Sequence, residues 1–415
     1  MAVNMQALGQ QAKAAAQALR SIDTESKNKA LLAIATAIEA NESAILQANN
    51  ADTAAAQAAG LTPAMIDRLN LNNRLAGVIA DVHNVAELPD PVGKEFEIQT
   101  LPNGLDSRKR RVPVGVLGVI YESRPNVTVD VATLALKSGN AVILRGGSET
   151  LRSNIALVDT IRDALQQSGL PEDTIQLIRD TDRRYVAELL RLSDYVDMII
   201  PRGGSRLHTL CREQSTIPVI TGGIGICHLY VDETADLNAA VAVIQNAKVQ
   251  RPSVCNALDT LLVQESVAAD FIPAVVERLA QDGVEFRVDE QAAETLNGHE
   301  QVKPAVDGDW DIEWLDLILG VRVVPDLDTA INHIHTHSTG HSDGILSNDA
   351  PSITRFLNEI DSAAVYVNAS TRFTDGSQLG LGAEIAISTQ KLHARGPMAL
   401  VELTTYKWII VGDNH

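Results

Sequence analysis

Apolar residues recur at helical spacing through residues 1–90. In one stretch they fall at i, i+3, i+4, i+7 and i+14, which keeps a single face apolar: Leu31, Ile34, Ala35, Ile38 and Ile45. Another helix is predicted to begin at Thr62-Pro63, because threonine caps helices and proline is favoured at the first helical position. The same periodicity returns over residues 75–82, so this region is predicted to be helical.

Between residues 96 and 112 the pattern changes to two short strands around Asn103-Gly104. This dipeptide supplies the positive φ angles that a tight hairpin turn needs. The second arm carries the basic run 108–111, which we interpret as a solvated strand edge, with an anion site as the alternative. A further β-rich segment, 406–411, is expected to pair with another element or with another chain.

From residue 113 onward, short buried strands alternate with helices. Strands are predicted at 114–121, 141–144, 175–178, 196–200, 219–220 and 227–231, with helices at 129–137, 155–168 and 206–213. Such alternation indicates a parallel sheet with crossover helices. A second alternating series, 237–347, predicts a second sheet, so the fold class is α/β.

Length and charge narrow the function. The 415 residues suffice for two or three domains, and 34 basic against 53 acidic residues give a net charge of −19. This charge would repel a nucleic-acid backbone and an anionic membrane, so neither partner is expected. We see no apolar run of the roughly 20 residues that span a bilayer, and Lys13 interrupts any signal-like start. A cytoplasmic protein is expected.

Two glycine-rich turns are candidate phosphate sites. The usual GxGxxG fingerprint does not follow any predicted strand, but two Gly-Gly pairs lie between a strand and a helix: Arg145, Gly146, Gly147 and Ser148, and Arg202, Gly203, Gly204 and Ser205. Backbone amides at a helix start suit phosphate groups. Glycine is also common at such turns for steric reasons, so a nucleotide site and a purely steric role remain alternatives.

A histidine-rich stretch invites a metal hypothesis. It contains His333, His335, His337 and His341. Only His333 and His337 would share a helix face, and no carboxylate completes a known metal motif. We therefore predict a solvated helix end and no metal site.

The three cysteines differ in context. Cys211 falls in a predicted helix and Cys227 in an apolar strand, so both are expected to be buried and inert. Cys255 lies in a polar loop beside Arg251, where a thiolate could be stabilised and reached. An odd number of cysteines without CxxC spacing fits a reducing compartment.

Six motifs in one order resemble the gamma-glutamyl phosphate reductase family, also called glutamate-5-semialdehyde dehydrogenases, of the aldehyde dehydrogenase superfamily. They lie at residues 121–130, 144–147, 200–204, 221–225, 251–256 and 367–376, so the resemblance covers nearly the whole chain. It implies two Rossmann-like parallel-sheet domains plus a small β oligomerisation element. The cofactor-binding domain would comprise 1–95 and 113–228, the catalytic domain 229–398, and the oligomerisation element 96–112 and 399–415.

The resemblance also implies an activity: NADPH-dependent reduction of L-glutamyl 5-phosphate to L-glutamate 5-semialdehyde, through a cysteine thioester, in proline biosynthesis. Cys255 would be the nucleophile and Asn126 the oxyanion donor, with Arg124 an alternative at that place. A homo-oligomer is expected, and glutamate 5-kinase is a candidate partner. The alternatives are a hydrolytic aldehyde dehydrogenase of the same fold and a catalytically silent structural or metal-binding protein.

By resemblance, the remaining site residues divide into two sets. The NADP site would use Arg145, Gly146, Gly147, Ser148, Arg202, Gly203, Gly204, Ser205, Gly222 and Gly223, and the substrate site Arg124, Asn256, Ser370 and Arg372. Ser148 stands where NAD-preferring relatives often carry a glutamate that repels a 2′-phosphate, which favours NADP. Ile220 stands where hydrolytic relatives carry a glutamate that activates water, which disfavours hydrolysis.

Overall fold

The computed structural model describes residues 3–296 and 298–413. The chain forms two compact units. Unit 1 comprises Met1–Thr221, Gly380–Ala386 and Met398–His415, and unit 2 comprises Gly222–Leu379 and Ile387–Pro397. The predicted domain boundary at 228/229 and the separate oligomerisation domain remain predictions.

The helices and strands have the following bounds. The helices are α1 (Met5–Leu19), α2 (Thr24–Ala40), α3 (Glu42–Ala58), α4 (Pro63–Leu69), α5 (Leu75–Glu87), α6 (Asn126–Lys137), α7 (Leu151–Gln167), α8 (Arg184–Leu189), α9 (Ser205–Gln214), α10 (Leu237–Val249), α11 (Glu265–Ala280), α12 (Glu290–Glu294), α13 (Leu327–His337) and α14 (Ala350–Glu359). The strands are β1 (Glu95–Thr100), β2 (Asp106–Pro113), β3 (Val116–Tyr121), β4 (Ala141–Arg145), β5 (Ile175–Leu177), β6 (Met198–Arg202), β7 (Cys227–Val231), β8 (Leu258–Gln264), β9 (Glu285–Val288), β10 (Val302–Pro304), β11 (Ile318–Val324), β12 (Ser342–Leu346), β13 (Ala364–Val367), β14 (Ala386–Ser388), β15 (Gly396–Met398) and β16 (Thr404–Val411).

The N-terminal helical region follows the predicted apolar pattern with one difference. The apolar face from Leu31 to Ile45 belongs to two helices, because the helix is interrupted at Asn41. This residue caps the end of α2 and the start of α3. The side chain of Thr62 accepts a hydrogen bond from the amide of Met65, and Pro63 is the first residue of α4, as predicted.

The central sheet of unit 1 is parallel, as predicted. Over the described residues its strand order is β5-β4-β3-β6. The strands are buried apolar runs, and helices α1, α8 and α9 cover one face with a shared apolar core. The predicted strand at 219–220 is reduced to a single bridge between Val219 and Ile199.

A separate antiparallel sheet in unit 1 has the order β1-β2-β16. The predicted hairpin is present, and its C-terminal partner is β16 of the same chain. The basic strand β2 is therefore the middle strand and not a solvated edge, so that interpretation was wrong. In the turn Gly104 has a φ of 87°, whereas Asn103 does not have a positive φ, so only the glycine supplies the left-handed conformation.

The sheet of unit 2 is also parallel and matches the second predicted series. In the described part of the chain it has the order β10-β9-β11-β8-β7-β12-β13. One face packs against α10 and α11 in an extensive apolar cluster, and α13 and α14 cover the other face around Phe356. The predicted site residues of this unit lie in the segment before β7, in the segment before β8 and in the turn after β13.

Within the described ranges, helices long and apolar enough to cross a bilayer do not occur.

Candidate active site

A cavity of about 1100 Å³ lies in unit 1, at the carboxyl ends of β3 and β4 and against α9, the helix that follows β6. The chain runs from β3 to β4 on one side and returns to β6 on the other, so the sheet order reverses between β3 and β6. In open parallel sheets, nucleotides bind at the carboxyl ends of strands beside such a reversal. The lining includes Arg145, Gly147, Ser148, Arg183 and Arg206.

The first Gly-Gly turn is tightly packed. A Cβ at Gly146 would overlap the side-chain amide of Asn154 and approach the ring of Tyr121, both within the buried interior. A Cβ at Gly147 would overlap the carboxylate of Glu149. The glycines therefore let the backbone turn close to the cavity, which fits both alternatives raised by the sequence.

Arg145 is more deeply placed than a surface cation. It is 9% exposed, and its guanidinium donates to the carbonyls of Gly146 and Thr181 at 2.6 and 2.9 Å. Burial lowers the pKa of Arg145, and among the described residues its buried Nε has no hydrogen-bond partner. Arg145 thus holds the turn after β4 and also carries a charge that an anion in the cavity would neutralise.

The second Gly-Gly turn leads into α9. Gly204 is the N-cap residue of this helix, and its backbone amide donates to Glu122 Oε2 at 3.3 Å. Arg202 ends β6 and Ser205 begins the helix. The helix N-terminus therefore already holds a carboxylate, and a phosphate bound at the Gly204 amide would have to displace Glu122. Gly203 faces the same carboxylate.

Gly222 and Gly223 open unit 2 with positive φ values of 156° and 76°. A Cβ at Gly222 would overlap the backbone of Ile387 and Ser388, so only glycine fits there. Ile220, just before them in the chain, is 4% exposed, so its side chain is buried as predicted.

The predicted oxyanion region follows β3. Asn126 begins α6, and its Nδ2 donates to Asp130 Oδ2 at 3.0 Å, which fixes the orientation of the amide. Burial raises the pKa of Asp130 to about 7. Arg124 lies in the same turn, half-buried. The sequence analysis missed Ser123, which has a φ of 48° and donates to Glu149 through both its amide and its hydroxyl; strain of this kind is common at functional sites.

Cys255 lies in the loop between α10 and β8 of unit 2 and is half-buried. The chain before β7 passes directly beneath it, because a Cβ at Gly225 would overlap the carbonyl oxygen of Cys255. The thiol of Cys227 donates to the same carbonyl at 3.3 Å. The contact with Gly225 and the hydrogen bond from Cys227 therefore fix the backbone of the loop, while the Cys255 thiol stays partly accessible.

Asn256 and Arg372, both predicted substrate residues, are in contact. Asn256 Nδ2 donates to the carbonyls of Arg372 and Thr374 at 3.2 and 2.9 Å, and the Arg372 guanidinium donates to Asn256 Oδ1. Ser370 is buried, and its Oγ accepts from the amide of Arg372 at 3.2 Å, so it caps the short 3₁₀ turn Thr371–Phe373. Unit 2 thus brings together Cys255, Asn256, Ser370 and Arg372, and unit 1 holds the remaining predicted residues apart from Gly222 and Gly223.

Glu313 is a further carboxyl group that the sequence did not indicate. Its Oε1 accepts from the amide of Gly225 at 2.9 Å, next to the carbonyl of Cys255. Burial raises the pKa of Glu313 to about 7. It lies far from Cys255 in the sequence and belongs to no motif, so only the fold brings it to this loop.

The other thiols behave as predicted. Cys211 and Cys227 are buried, and burial raises the pKa of Cys211 to about 11 and that of Cys227 well above its usual value. At neutral pH both remain protonated and poorly nucleophilic.

The histidine stretch differs from the prediction. His333 and His337 do share a face of α13, with ring centroids 4.5 Å apart, but His333 is buried and hydrogen-bonded to Arg322 at 2.8 Å. Burial lowers the pKa of His333 to about 2. The predicted solvated helix end is therefore wrong for His333. Over residues 3–296 and 298–413, groups of three or more histidine, cysteine, aspartate or glutamate side chains placed to bind a metal are absent.

Comparisons with known proteins agree with this architecture. Residues 2–297 match the model of the aldehyde dehydrogenase family. The chain is 57% identical over 413 residues to a gamma-glutamyl phosphate reductase of Psychromonas ingrahamii, with 99% of both chains covered. It is 58% identical over 416 residues to that of Shewanella sediminis, with 99% of this chain and 98% of the other covered.

A solved structure is similar throughout. The crystal structure of gamma-glutamyl phosphate reductase from Thermotoga maritima matches with a TM-score of 0.96 at 47% identity, covering 99% of this chain and 98% of the other. The predicted fold class and the predicted enzyme class, an oxidoreductase, are confirmed. The chain belongs to the aldehyde dehydrogenase family and, within it, to the gamma-glutamyl phosphate reductases of proline biosynthesis.

Proposed function

We propose that this chain reduces L-glutamyl 5-phosphate to L-glutamate 5-semialdehyde with NADPH and releases phosphate. The observation that carries the mechanism is the contrast among the thiols: Cys255 is half-buried in a loop, whereas Cys211 and Cys227 are buried with raised pKa values. A nucleophile must be reachable and ionisable, and Cys255 alone of the three meets the first requirement.

The acyl-transfer step uses the protein's own thiol. The Cys255 thiolate attacks the acyl carbon, the bond from this carbon to the phosphate oxygen breaks, and phosphate leaves with the electron pair. This step produces a thioester on Cys255. The developing oxyanion needs hydrogen-bond donors, a role we assign to the Asn126 amide, whose orientation Asp130 fixes. The positive charge of Arg372 near Cys255 favours the thiolate.

When bound, NADPH would supply the hydride that reduces the thioester on Cys255 to a thiohemiacetal. The C–S bond of the thiohemiacetal then breaks, its electron pair returns to Cys255 as thiolate, and the aldehyde is released. The cavity in unit 1 fits NADP. It lies at the reversal of the strand order, its glycines admit close backbone approach, and the buried Arg145 Nε lacks a hydrogen-bond partner in the part of the chain that the structure describes. Arg145 and Ser148 would bind near the adenosine ribose, and Gly203, Gly204 and Ser205 at the start of α9 would bind a phosphate.

We also propose a cellular compartment and two kinds of protein partner. We assign the protein to the cytoplasm and to a homo-oligomer in which the sheet β1-β2-β16 forms part of the interface. Tyr406, Trp408 and Ile410 on β16 are exposed, and β16 is an edge strand of that sheet. Direct transfer of the acyl phosphate from glutamate 5-kinase is a further partner hypothesis, since the acyl phosphate is unstable in water.

The decisive experiment runs the reaction backward. L-Glutamate 5-semialdehyde and NADP are mixed with the enzyme, and NADPH is followed by its absorbance with and without inorganic phosphate. Because Ile220 cannot activate water, the thioester should persist without phosphate. We expect at most about one equivalent of NADPH per active site, and steady turnover once phosphate is added.

Sustained turnover without phosphate would contradict the proposal and place the protein with the hydrolytic enzymes. In that event Glu313 is the carboxyl group to test, because it approaches the Cys255 loop and its pKa is raised to about 7. Glu313→Gln would then remove the phosphate-free turnover.

A further inference from the structure

Two arginines flank the loop that carries Cys255. Arg251 is exposed at the start of the loop, and Arg372 comes from the turn after β13. The Arg372 guanidinium donates through Nε to Gln250 Oε1 at 3.1 Å and through Nη1 to Asn256 Oδ1. Its partners therefore precede and follow Cys255 in the chain, which places the guanidinium along the loop.

The partner on the far side of Cys255 is itself firmly held. Asn256 is 3% exposed, its Nδ2 donates to two carbonyls of the segment 372–374, and its own carbonyl accepts from Thr371 Oγ1 at 2.7 Å. The two segments are thus joined by several hydrogen bonds. A guanidinium fixed in this way loses little freedom when it binds a ligand, so its donors are preorganised.

Arg251 adds a second positive charge near that of Arg372. The positive charge of Arg251 contributes, after burial, to lowering the pKa of Arg372, so the two groups are close enough to interact. Among the described residues neither arginine forms an ion pair, although Asp375 also lies near enough to affect Arg372. Two neighbouring cations repel each other, and this repulsion is relieved when an anion binds between them.

We propose that Arg251 and Arg372 bind the phosphate group of the acyl phosphate, a role that rests on the function proposed above. In reduction they would hold phosphate as it leaves with the electron pair of the broken C–O bond. In the reverse reaction they would hold inorganic phosphate while its oxygen attacks the thioester carbon and the C–S electron pair returns to Cys255 as thiolate. Arginine suits this task because its planar fork matches phosphate oxygens.

The α-carboxylate of the substrate is the competing anion. The phosphate is bonded to the carbon that Cys255 attacks, whereas the α-carboxylate is separated from that carbon by the remaining chain of the amino acid. The Arg372 guanidinium, held by Gln250 and Asn256, lies close enough to the Cys255 thiol to interact with it, so an anion bound there would lie near the carbon that Cys255 attacks. The position therefore favours phosphate.

The test uses Arg251→Met in the full-length enzyme, because Arg251 is exposed and its loss should not affect folding. The reverse reaction is measured over a range of phosphate concentrations at saturating semialdehyde, and over a range of semialdehyde at saturating phosphate. We expect the KM for phosphate to rise about tenfold or more and the KM for semialdehyde to change less than twofold. Arg278→Met, which removes a partly exposed arginine from α11 of the same unit, should change neither value.

Two results would overturn the assignment. An unchanged KM for phosphate would exclude Arg251, and a raised KM for semialdehyde alone would assign the pair to the α-carboxylate. Arg372→Lys separates charge from shape: it should raise the KM for phosphate although the charge is kept, because lysine lacks the planar fork. A wild-type enzyme that turns over without phosphate would instead refute the proposed function itself, whatever the variants show.

Discussion

At the scale of single residues, burial separates Cys255 from the other two thiols. All three have the same side chain, but Cys211 and Cys227 lie in regular elements whose interior raises their pKa values. Cys255 lies in a loop whose backbone packs against Gly225 and is fixed by the hydrogen bond from Asn256 to the carbonyl of Thr374. The loop combines access with a fixed backbone, which nucleophilic catalysis requires.

We expect Cys255→Ser to reduce turnover below about one per cent of the wild-type rate, because serine keeps nearly the same volume but lacks the thiolate. Cofactor affinity and the melting temperature should remain nearly unchanged. The measurements are steady-state NADPH oxidation and a cofactor titration by fluorescence. Cys211→Ser and Cys227→Ser are the matched controls and should lose stability at most; an equal loss of activity in either would show that the nucleophile is wrongly assigned.

We expect Ser148, which is exposed at the cavity in unit 1, to determine the preference for NADPH over NADH. A carboxylate at this position would repel a 2′-phosphate and accept from a ribose hydroxyl. We therefore expect Ser148→Glu to shift the ratio of kcat/KM for NADPH over NADH by about tenfold or more toward NADH.

The control for Ser148→Glu is Gln166→Glu, which adds the same charge to an exposed position of α7. It should leave the ratio unchanged. A ratio unaffected by Ser148→Glu would show that the 2′-phosphate binds elsewhere. Arg145 is a poorer probe of cofactor preference than Ser148, because its guanidinium also donates to the carbonyls of Gly146 and Thr181 and its removal would disturb binding of both cofactors.

At the scale of elements, the sheet β1-β2-β16 shows how local sequence and long-range pairing differ. The basic side chains of β2 are half-buried between the neighbouring strands: Arg110 pairs with Glu95, and Lys109 lies over the rings of Tyr406 and Trp408 at 4.5 and 4.9 Å. Arg110 and Lys109 are therefore already engaged by an ion pair and by cation–π contacts, which argues against the alternative of an anion site on this strand. The apolar side chains of the edge strand β16 remain exposed.

If this edge contacts a second copy, Ile410→Lys should weaken the oligomer, because Ile410 is 58% exposed and a charge there would have to be desolvated in the interface. Light scattering coupled to size-exclusion chromatography should then show a smaller mean mass. Val306→Lys, at a similarly exposed apolar position of unit 2, should leave the mass unchanged. A wild-type mass retained by Ile410→Lys would remove β16 from the interface.

Elements whose signal is local were predicted well. The strands β3, β4, β6 and β7 appear where buried apolar runs were found, and α4 begins at the predicted cap. The central place of β2 could not be predicted, because its second partner lies near residue 404 and strand order depends on pairing across the whole chain. The burial of His333 likewise depends on Arg322 and Trp310, which only the folded sheet brings beside it.

At the scale of the whole molecule, the family could be predicted because each of the six motifs is a short continuous stretch that can be read from the sequence without knowing the fold. The site beyond the motifs was harder. Ser123 and Glu313 were missed, since a positive φ and a raised pKa are products of packing. Arg251 was noted only as a neighbour of Cys255, and its relation to Arg372 became visible when two distant segments were found joined through Asn256.

The division of unit 1 along the chain has a consequence for biosynthesis. Its last segments, Gly380–Ala386 and Met398–His415, are translated after most of unit 2, and they include β16 and Leu403, whose carbonyl accepts from Asn140. Between the end of β2 at Pro113 and the start of β16 at Thr404 the ribosome adds about 290 residues, which takes roughly 15 to 60 s at about 5–20 residues per second. During that time the edge of β2 that later pairs with β16 stays unpaired in the nascent chain, so it is open to pairing with a strand of another chain. Unit 2 can fold first, although unit 1 begins earlier.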